Sequence, residues 1–263
     1  MDPIVIATLC VGGIGCLSAV VLSVANKYIS VKEDPRIGQV TGLLPGANCG
    51  GCGFAGCADY ARAIVQNGAS LTCCSVGGAD VSNAIAAALG RLPGEAAEKK
   101  VAVVLCHGDC DVTTRRFDYN GITDCAAAQS TAGGDKSCTY GCLGFGTCVR
   151  QCPAHALRIE KGIAKVDKAK CIGCGKCVEA CPRKLIKLVP VRETVHVFCS
   201  SKDKGPAVKK ACGNGCLGCT LCTKLAPGAF VMEGALAVRD YGTPVQNEAV
   251  FEKCPGHCIA RDA

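Results

Sequence analysis

Four cysteines, Cys171, Cys174, Cys177 and Cys181, are spaced C-x2-C-x2-C-x3-C and followed by Pro182. Soft thiolates at this spacing wrap a cubane of four irons and four sulfides, whose chemistry is one-electron transfer. Where two such runs occur together, the fourth cysteine of each ligates the other cluster, so a partner run is required. It lies upstream, where Cys142, Cys148 and Cys152 before Pro153 keep the frame while Phe145 holds the middle position. Cys138 is the expected substitute. The crossing rule then gives Cys171, Cys174, Cys177 and Cys152 to one cluster and Cys138, Cys142, Cys148 and Cys181 to its neighbour.

A third run, "CLGCTLCTKLAP", supplies Cys216, Cys219 and Cys222 but has Ala226 where the fourth cysteine would stand. The only Cys-Pro downstream is Cys254-Pro255, so Cys254 is the expected fourth ligand. The second cluster of this unit has lost every ligand together, leaving a half-degenerate repeat. A separate run near the N-terminus, "CGGCGFAGC", offers Cys49, Cys52 and Cys57, with Cys74 as a remote fourth ligand and Cys73 as a spare. Glycines 50, 51, 53 and 56 permit the turns such a wrap needs. Zinc is the alternative here, because a tetrahedral ion accepts the same spacing. These assignments give at least four 4Fe-4S clusters. Cys106, Cys110, Cys125, Cys199, Cys212 and Cys258 stay open as ligands of a fifth or further cluster.

The elements that must carry these ligands are short. With 25 Cys, no Trp and 4% aromatic residues in 263, something other than aromatic packing holds the chain together. Residues 79–92 read as a helix ending near Gly90 and Pro93, and "KKVAVVLC" and "VHVFC" read as equivalent strands ending at Cys106 and Cys199. The C-x12-C-x3-C spacing of Cys125, Cys138 and Cys142 recurs at Cys199, Cys212 and Cys216, an internal repeat. The expected fold class is α+β: one N-terminal transmembrane helix, then small loop-rich iron–sulfur domains that include two ferredoxin-like units. The expected divisions are an anchor over 1–28, a hinge over 29–45, a cluster domain over 46–92, a strand-led connection over 93–137, a two-cluster domain over 138–190 and the half-degenerate unit over 191–263.

The uncharged stretch after Asp2 is long enough to cross a hydrocarbon layer, and Lys27, Lys32 and Arg36 behind it place the bulk of the chain in the cytoplasm by the positive-inside rule. That predicts a single-pass protein of the inner membrane. Cys10 and Cys16 within the stretch read as packing residues. The net charge of +7 matters less than its clustering at Lys165, Lys168, Lys170, Lys176, Arg183, Lys184 and Lys187 and at Lys202, Lys204, Lys209 and Lys210, which suits an acidic partner or anionic lipid. No aromatics interleave these lysines, which argues against nucleic acid. His107, His155, His196 and His257 read as packing or surface residues. No G-x-G-x-x-G follows a strand into a helix, so no nicotinamide or flavin site is expected, nor any catalytic acid or base.

The anchor, "CGGCGFAGC", Cys74 before "SVGG" and the paired motifs together resemble the B subunit of the Rnf complex over essentially the whole chain. The resemblance implies an iron–sulfur electron-transfer subunit of an ion-translocating ferredoxin:NAD+ oxidoreductase. It would accept electrons from reduced ferredoxin and relay them to integral membrane partners among the A, C, D, E and G subunits, in a complex that moves Na+ or H+. It carries over onto Cys49, Cys52, Cys57 and Cys74 and onto the motifs from Cys138 to Cys181. Sequence order puts the Cys216 unit and the cluster pair nearest ferredoxin and the Cys49 cluster nearest the other subunits. A zinc-ordered tethered interaction module, or an iron–sulfur subunit of another membrane complex such as a hydrogenase, are the competing readings.

Overall fold

The structure, a computed structural model, describes residues 3–29, 34–92 and 98–262, with side chains in the first helix described at Ile4 and over 11–25. Asp2, Lys32 and Pro93 and the side chains of Cys10 and Lys27 lie outside the described residues. Helix α1 spans Pro3–Ile29. The single-pass anchor expected over 1–28 is nevertheless corrected, because among the described residues no helix is long and apolar enough to cross a membrane. The described side chains of 11–25 cover about 22 Å at 1.5 Å per residue, against a hydrocarbon layer of roughly 30 Å. The inner-membrane placement that rested on the anchor falls with it.

A first core is helical. α2 (Pro35–Leu43) starts on Asp34, whose carboxylate accepts the Arg36 N–H at 2.9 Å, with Pro35 in the first turn. α3 (Cys57–Asn67) and α4 (Gly78–Leu89) close on left-handed caps at Gly68 and Gly90. The Gly90 cap stops α4 before Arg91, short of the expected 92. Val40, Tyr60, Ile64 and Ile85 from the three helices are buried together. The Tyr60 hydroxyl donates to Ser70 O at 2.6 Å and accepts the Cys73 N–H at 3.2 Å, which fixes the loop that leads to Cys74.

The next unit contains β1 (Lys100–Val104), α5 (Cys125–Ser130), α6 (Thr147–Arg150), β2 (Leu157–Glu160), β3 (Ile163–Val166), α7 (Lys176–Ala180) and β4 (Ile186–Pro190). β1 pairs antiparallel with β4, Val101 opposite Val189, and four of its five residues are buried. The expected boundary at 138 therefore separates a strand from its partner: the apolar run of β1 finds its cover inside the two-cluster unit. β2 and β3 form a hairpin turned by Lys161 (φ 47°) and Gly162 (φ 72°), the two positive-φ residues of a type I′ turn.

The same order recurs downstream. β5 (Val195–Val197) pairs with β8 (Ile259–Arg261), and between them lie α8 (Gly205–Ala211), α9 (Leu221–Leu225), the hairpin β6 (Phe230–Glu233) and β7 (Leu236–Arg239), and α10 (Ala249–Glu252). The half that lacks a C-x2-C-x2-C run keeps its helix and closing strand. Apolar packing takes over there, with Ala226, Phe230, Val250 and Ile259 buried in one core and Val245 and Phe251 against it. The two units are joined by side chains: His107 stacks on Phe198 with ring centres 3.6 Å apart, and Lys168 of the first unit bonds Asp262 beside β8. Asp262 Oδ2 lies 2.6 Å from Nε2 of the fully buried His196, whose Nδ1 meets the Tyr241 hydroxyl at 2.9 Å.

Candidate cluster-binding sites

Cys49, Cys52, Cys57 and Cys74 line one cavity of about 340 Å³ at the N-terminus of α3. Asn48, in the left-handed region at φ 44°, accepts the Cys57 N–H on its Oδ1 at 2.8 Å and so bends the loop over the cavity. The Gly77 N–H donates to Cys74 Sγ at 3.4 Å. Cys73 does not line this cavity and packs in the helical core.

The second group is Cys152, Cys171, Cys174 and Cys177. Burial pushes the Cys177 thiol up to about 12, and the neighbouring Cys171, Cys174 and Cys152 push it the same way. The Ala102 N–H of β1 donates to Cys171 Sγ at 3.4 Å and the Ala156 N–H to Cys152 Sγ at 3.3 Å. This group touches the first one, since a Cβ on Gly51 would stand 3.1 Å from Cys174 Cα.

Cys142, Cys148 and Cys181 line a cavity of about 360 Å³, and the fourth thiol in its wall is Cys125. Cys138, the expected fourth thiol, lines a different cavity. The reason is α5, whose first residue is Cys125. Asp124 caps this helix by accepting the Ala126 and Ala127 N–H groups and holds it against α6 through the Thr147 hydroxyl at 2.7 Å and Arg150 at 2.9 Å. Phe145, at the position of the missing ligand, packs beside Cys125 and Tyr119. Burial raises Cys148 to about 12.

Cys216, Cys219, Cys222, Cys254 and Cys258 line a cavity of about 380 Å³. Among the last two, the backbone distinguishes Cys254. The N–H four residues beyond each Cys-Pro cysteine is aimed back at its sulfur: Ala156 at Cys152, Leu185 at Cys181 and Cys258 at Cys254. Cys258 Sγ lies 3.7 Å from Cys254 Sγ and also bonds Cys216. As the shared S–H donor it draws Cys254 down to about 5 and Cys216 to about 6, while its own thiol is held up.

A further cavity, of about 430 Å³, is lined by Cys106, Cys138, Cys199 and Cys212. Cys106, Cys199 and Cys212 were among the cysteines the sequence left open, and the structure sets Cys138 beside them and not Cys125. The Asp124 cap signals a helix that starts at Cys125, and the packing of that helix against α6 carries the thiol to the other cavity. Cys110 and Cys16 are exposed and join none of these groups. His155 and His257 sit at positive φ in the turns after Cys152 and Cys254, and none of the four histidines lines a cysteine cavity described here.

These surroundings fit iron–sulfur clusters better than single ions. A tetrahedral zinc with metal–sulfur bonds of roughly 2.3 Å pulls its sulfurs to within roughly 3.8 Å of one another. Each cavity brings at least four thiols to one wall, and backbone N–H groups point at several of the sulfurs, as an anionic cluster requires.

Known proteins share these features. Residues 44–76 match the family described as a putative Fe-S cluster, and 164–187 match the 4Fe-4S binding domain. The B subunit of the ion-translocating oxidoreductase complex of Methanosarcina acetivorans is 43% identical over 251 residues, 94% of this chain and 91% of that protein. The chain belongs to the family of these B subunits. Other B subunits match across most of their length. The one from the Na(+)-translocating ferredoxin:NAD(+) oxidoreductase complex of Acetobacterium woodii is 42% identical, covering 95% of this chain and 76% of the relative. The proton-translocating counterpart of Clostridium ljungdahlii is 45% identical over 77% of this chain and 72% of the relative.

Proposed function

We propose that this protein is the electron-transfer subunit of an ion-translocating ferredoxin:NAD+ oxidoreductase complex. The observation that carries the reading is the chain of cysteine groups in mutual contact, which starts at Cys49 and continues through Cys174 into the crossed ferredoxin motifs. When bound, 4Fe-4S clusters supply one-electron transfer there. Cys49, Cys52, Cys57 and Cys74 hold one, Cys152, Cys171, Cys174 and Cys177 a second, Cys125, Cys142, Cys148 and Cys181 a third, and Cys216, Cys219, Cys222 and Cys254 a fourth. The protein's part is to hold the ligands, keep all but Cys219 at least partly buried and aim N–H donors at their sulfurs.

An acidic redox partner has a place to dock. A cleft of about 1040 Å³ runs between the two ferredoxin-like units and is lined by Arg183, Lys184, Lys187, Lys202 and Arg239 against a single acid, Glu233, with Cys199 in its wall. Reduced ferredoxin would bind here and electrons would leave at the Cys49 end toward the other subunits, which carry the NAD and ion-translocation chemistry. The test is anaerobic purification followed by iron, sulfide and zinc analysis and titration with reduced ferredoxin. About 16 or more irons per chain, bleached by ferredoxin, is the expected result; a colourless protein with stoichiometric zinc overturns the reading.

A further inference from the structure

Cys106, Cys138, Cys199 and Cys212 come from segments spread over more than a hundred residues, yet their sulfurs face one cavity. A Cβ built on Gly108 would lie 3.3 Å from Cys212 Sγ and 3.6 Å from Cys106 Sγ, and one on Gly141 would lie 3.4 Å from Cys138 Sγ and 3.7 Å from Cys106 Sγ. Glycine at these two positions keeps the space between the sulfurs clear. The arrangement has an internal two-fold logic. Cys106 and Cys199 follow the equivalent strands β1 and β5, and Cys138 and Cys212 each stand four residues before the first cysteine of a ferredoxin run. Each copy of the repeat thus contributes two thiols.

The surroundings are those of an anionic group. The Cys142 N–H donates to Cys106 Sγ at 3.4 Å, the Ser201 N–H to Cys199 Sγ at 3.5 Å, and the Cys216 N–H also bonds Cys199. Two cations are sunk beside the thiols. Lys136, 2% exposed, spends its ammonium on the carbonyls of Gly108 (3.1 Å) and Gly162 (2.9 Å), without a carboxylate partner among the described ion pairs. The Arg183 guanidinium bonds Cys138 O at 3.1 Å and Gly141 O. A buried ammonium is costly unless negative charge stands near it.

We propose that Cys106, Cys138, Cys199 and Cys212 ligate a fifth 4Fe-4S cluster at the junction of the two ferredoxin-like units. It rests on the electron-transfer reading and completes it. Cys142 belongs to one neighbouring group and Cys216 to the other, and both donate backbone bonds into this one. A cluster held there would stand between the Cys216 and Cys142 groups and would supply one-electron transfer between them, joining the C-terminal group to the rest.

Two measurements on the full chain, purified without oxygen, test it. Native mass spectrometry of the wild type should show about 20 irons and 20 sulfides; about 16 of each overturns the fifth cluster while leaving the electron-transfer reading intact, and a chain without iron overturns both. Cys138→Ala combined with Cys199→Ala should lose about four irons and four sulfides per chain, a fifth of the total, with zinc absent from both proteins. Unchanged iron in this variant, or loss of a zinc ion instead, overturns the assignment. Should the variant fail to fold, the wild-type count alone decides.

Discussion

Phe145 and Cys125 have divided one job between them. The ring occupies the position of the middle ligand and packs 5.0 Å from Tyr119, and the thiol arrives from a helix twenty residues earlier. Cys125→Ala should therefore cost about four irons per chain. Cys258→Ala should cost none under the proposed ligand set, in which Cys258 Sγ stands 3.7 Å from Cys254 Sγ without holding iron; iron loss equal to that of Cys254→Ala would reverse that assignment. Away from the thiols, Asp262 is pushed up by burial but pulled further down by its bonds to His196 and Lys168, so its pKa lies below the ordinary carboxylate range. A depressed carboxylate stabilises the fold above its unfolded pKa of about 4, and that contribution is lost only as the pH falls through the folded value. Asp262→Asn should thus cost about 1 kcal/mol by denaturant unfolding, with partial exposure discounted. The deficit should hold steady from about pH 7 to about pH 9; a deficit that changes across this window would place the titration on another group.

At the scale of elements, α5 decides which cavity its cysteine lines. The Asp124 cap is the device, and Asp124→Ala should lower stability in denaturant unfolding and loosen the third cluster, read as faster iron release to a chelator than from wild type. Stability loss with unchanged release would confine Asp124 to a local role. The crossed motifs were legible from spacing alone because C-x2-C-x2-C-x3-C-P is a local pattern whose partner can be found by the crossing rule. The identity of the fourth thiol beside Cys142 was not, because Cys125 and Cys138 are both in reach along the chain and only the orientation of α5 separates them. The strands before Cys106 and Cys199 were legible as apolar runs, but their pairing with β4 and β8 is a long-range contact with no sequence signature. The N-terminal run of apolar residues read as a membrane anchor by length alone, and the described helix did not meet that test.

Across the whole molecule, the basic cleft at the seam between the two units is the proposed landing place of an acidic partner. Lys187→Glu combined with Lys202→Glu should raise the KM for ferredoxin about tenfold at low ionic strength with kcat little changed, and the penalty should shrink as salt rises. A salt-independent effect would mean the cleft is not where the partner lands. The same seam governs how the protein is made. Cys106 leaves the ribosome about a hundred residues before Cys212, the last thiol of their shared cavity. At 5–20 residues per second it waits on the order of 5–20 s without its companions. The Cys49 group is complete within one short segment of chain. Iron delivery thus follows the order of synthesis at the N-terminal end but must come after it at the junction, and the waiting thiols are the ones a burst of oxidant during translation would reach first.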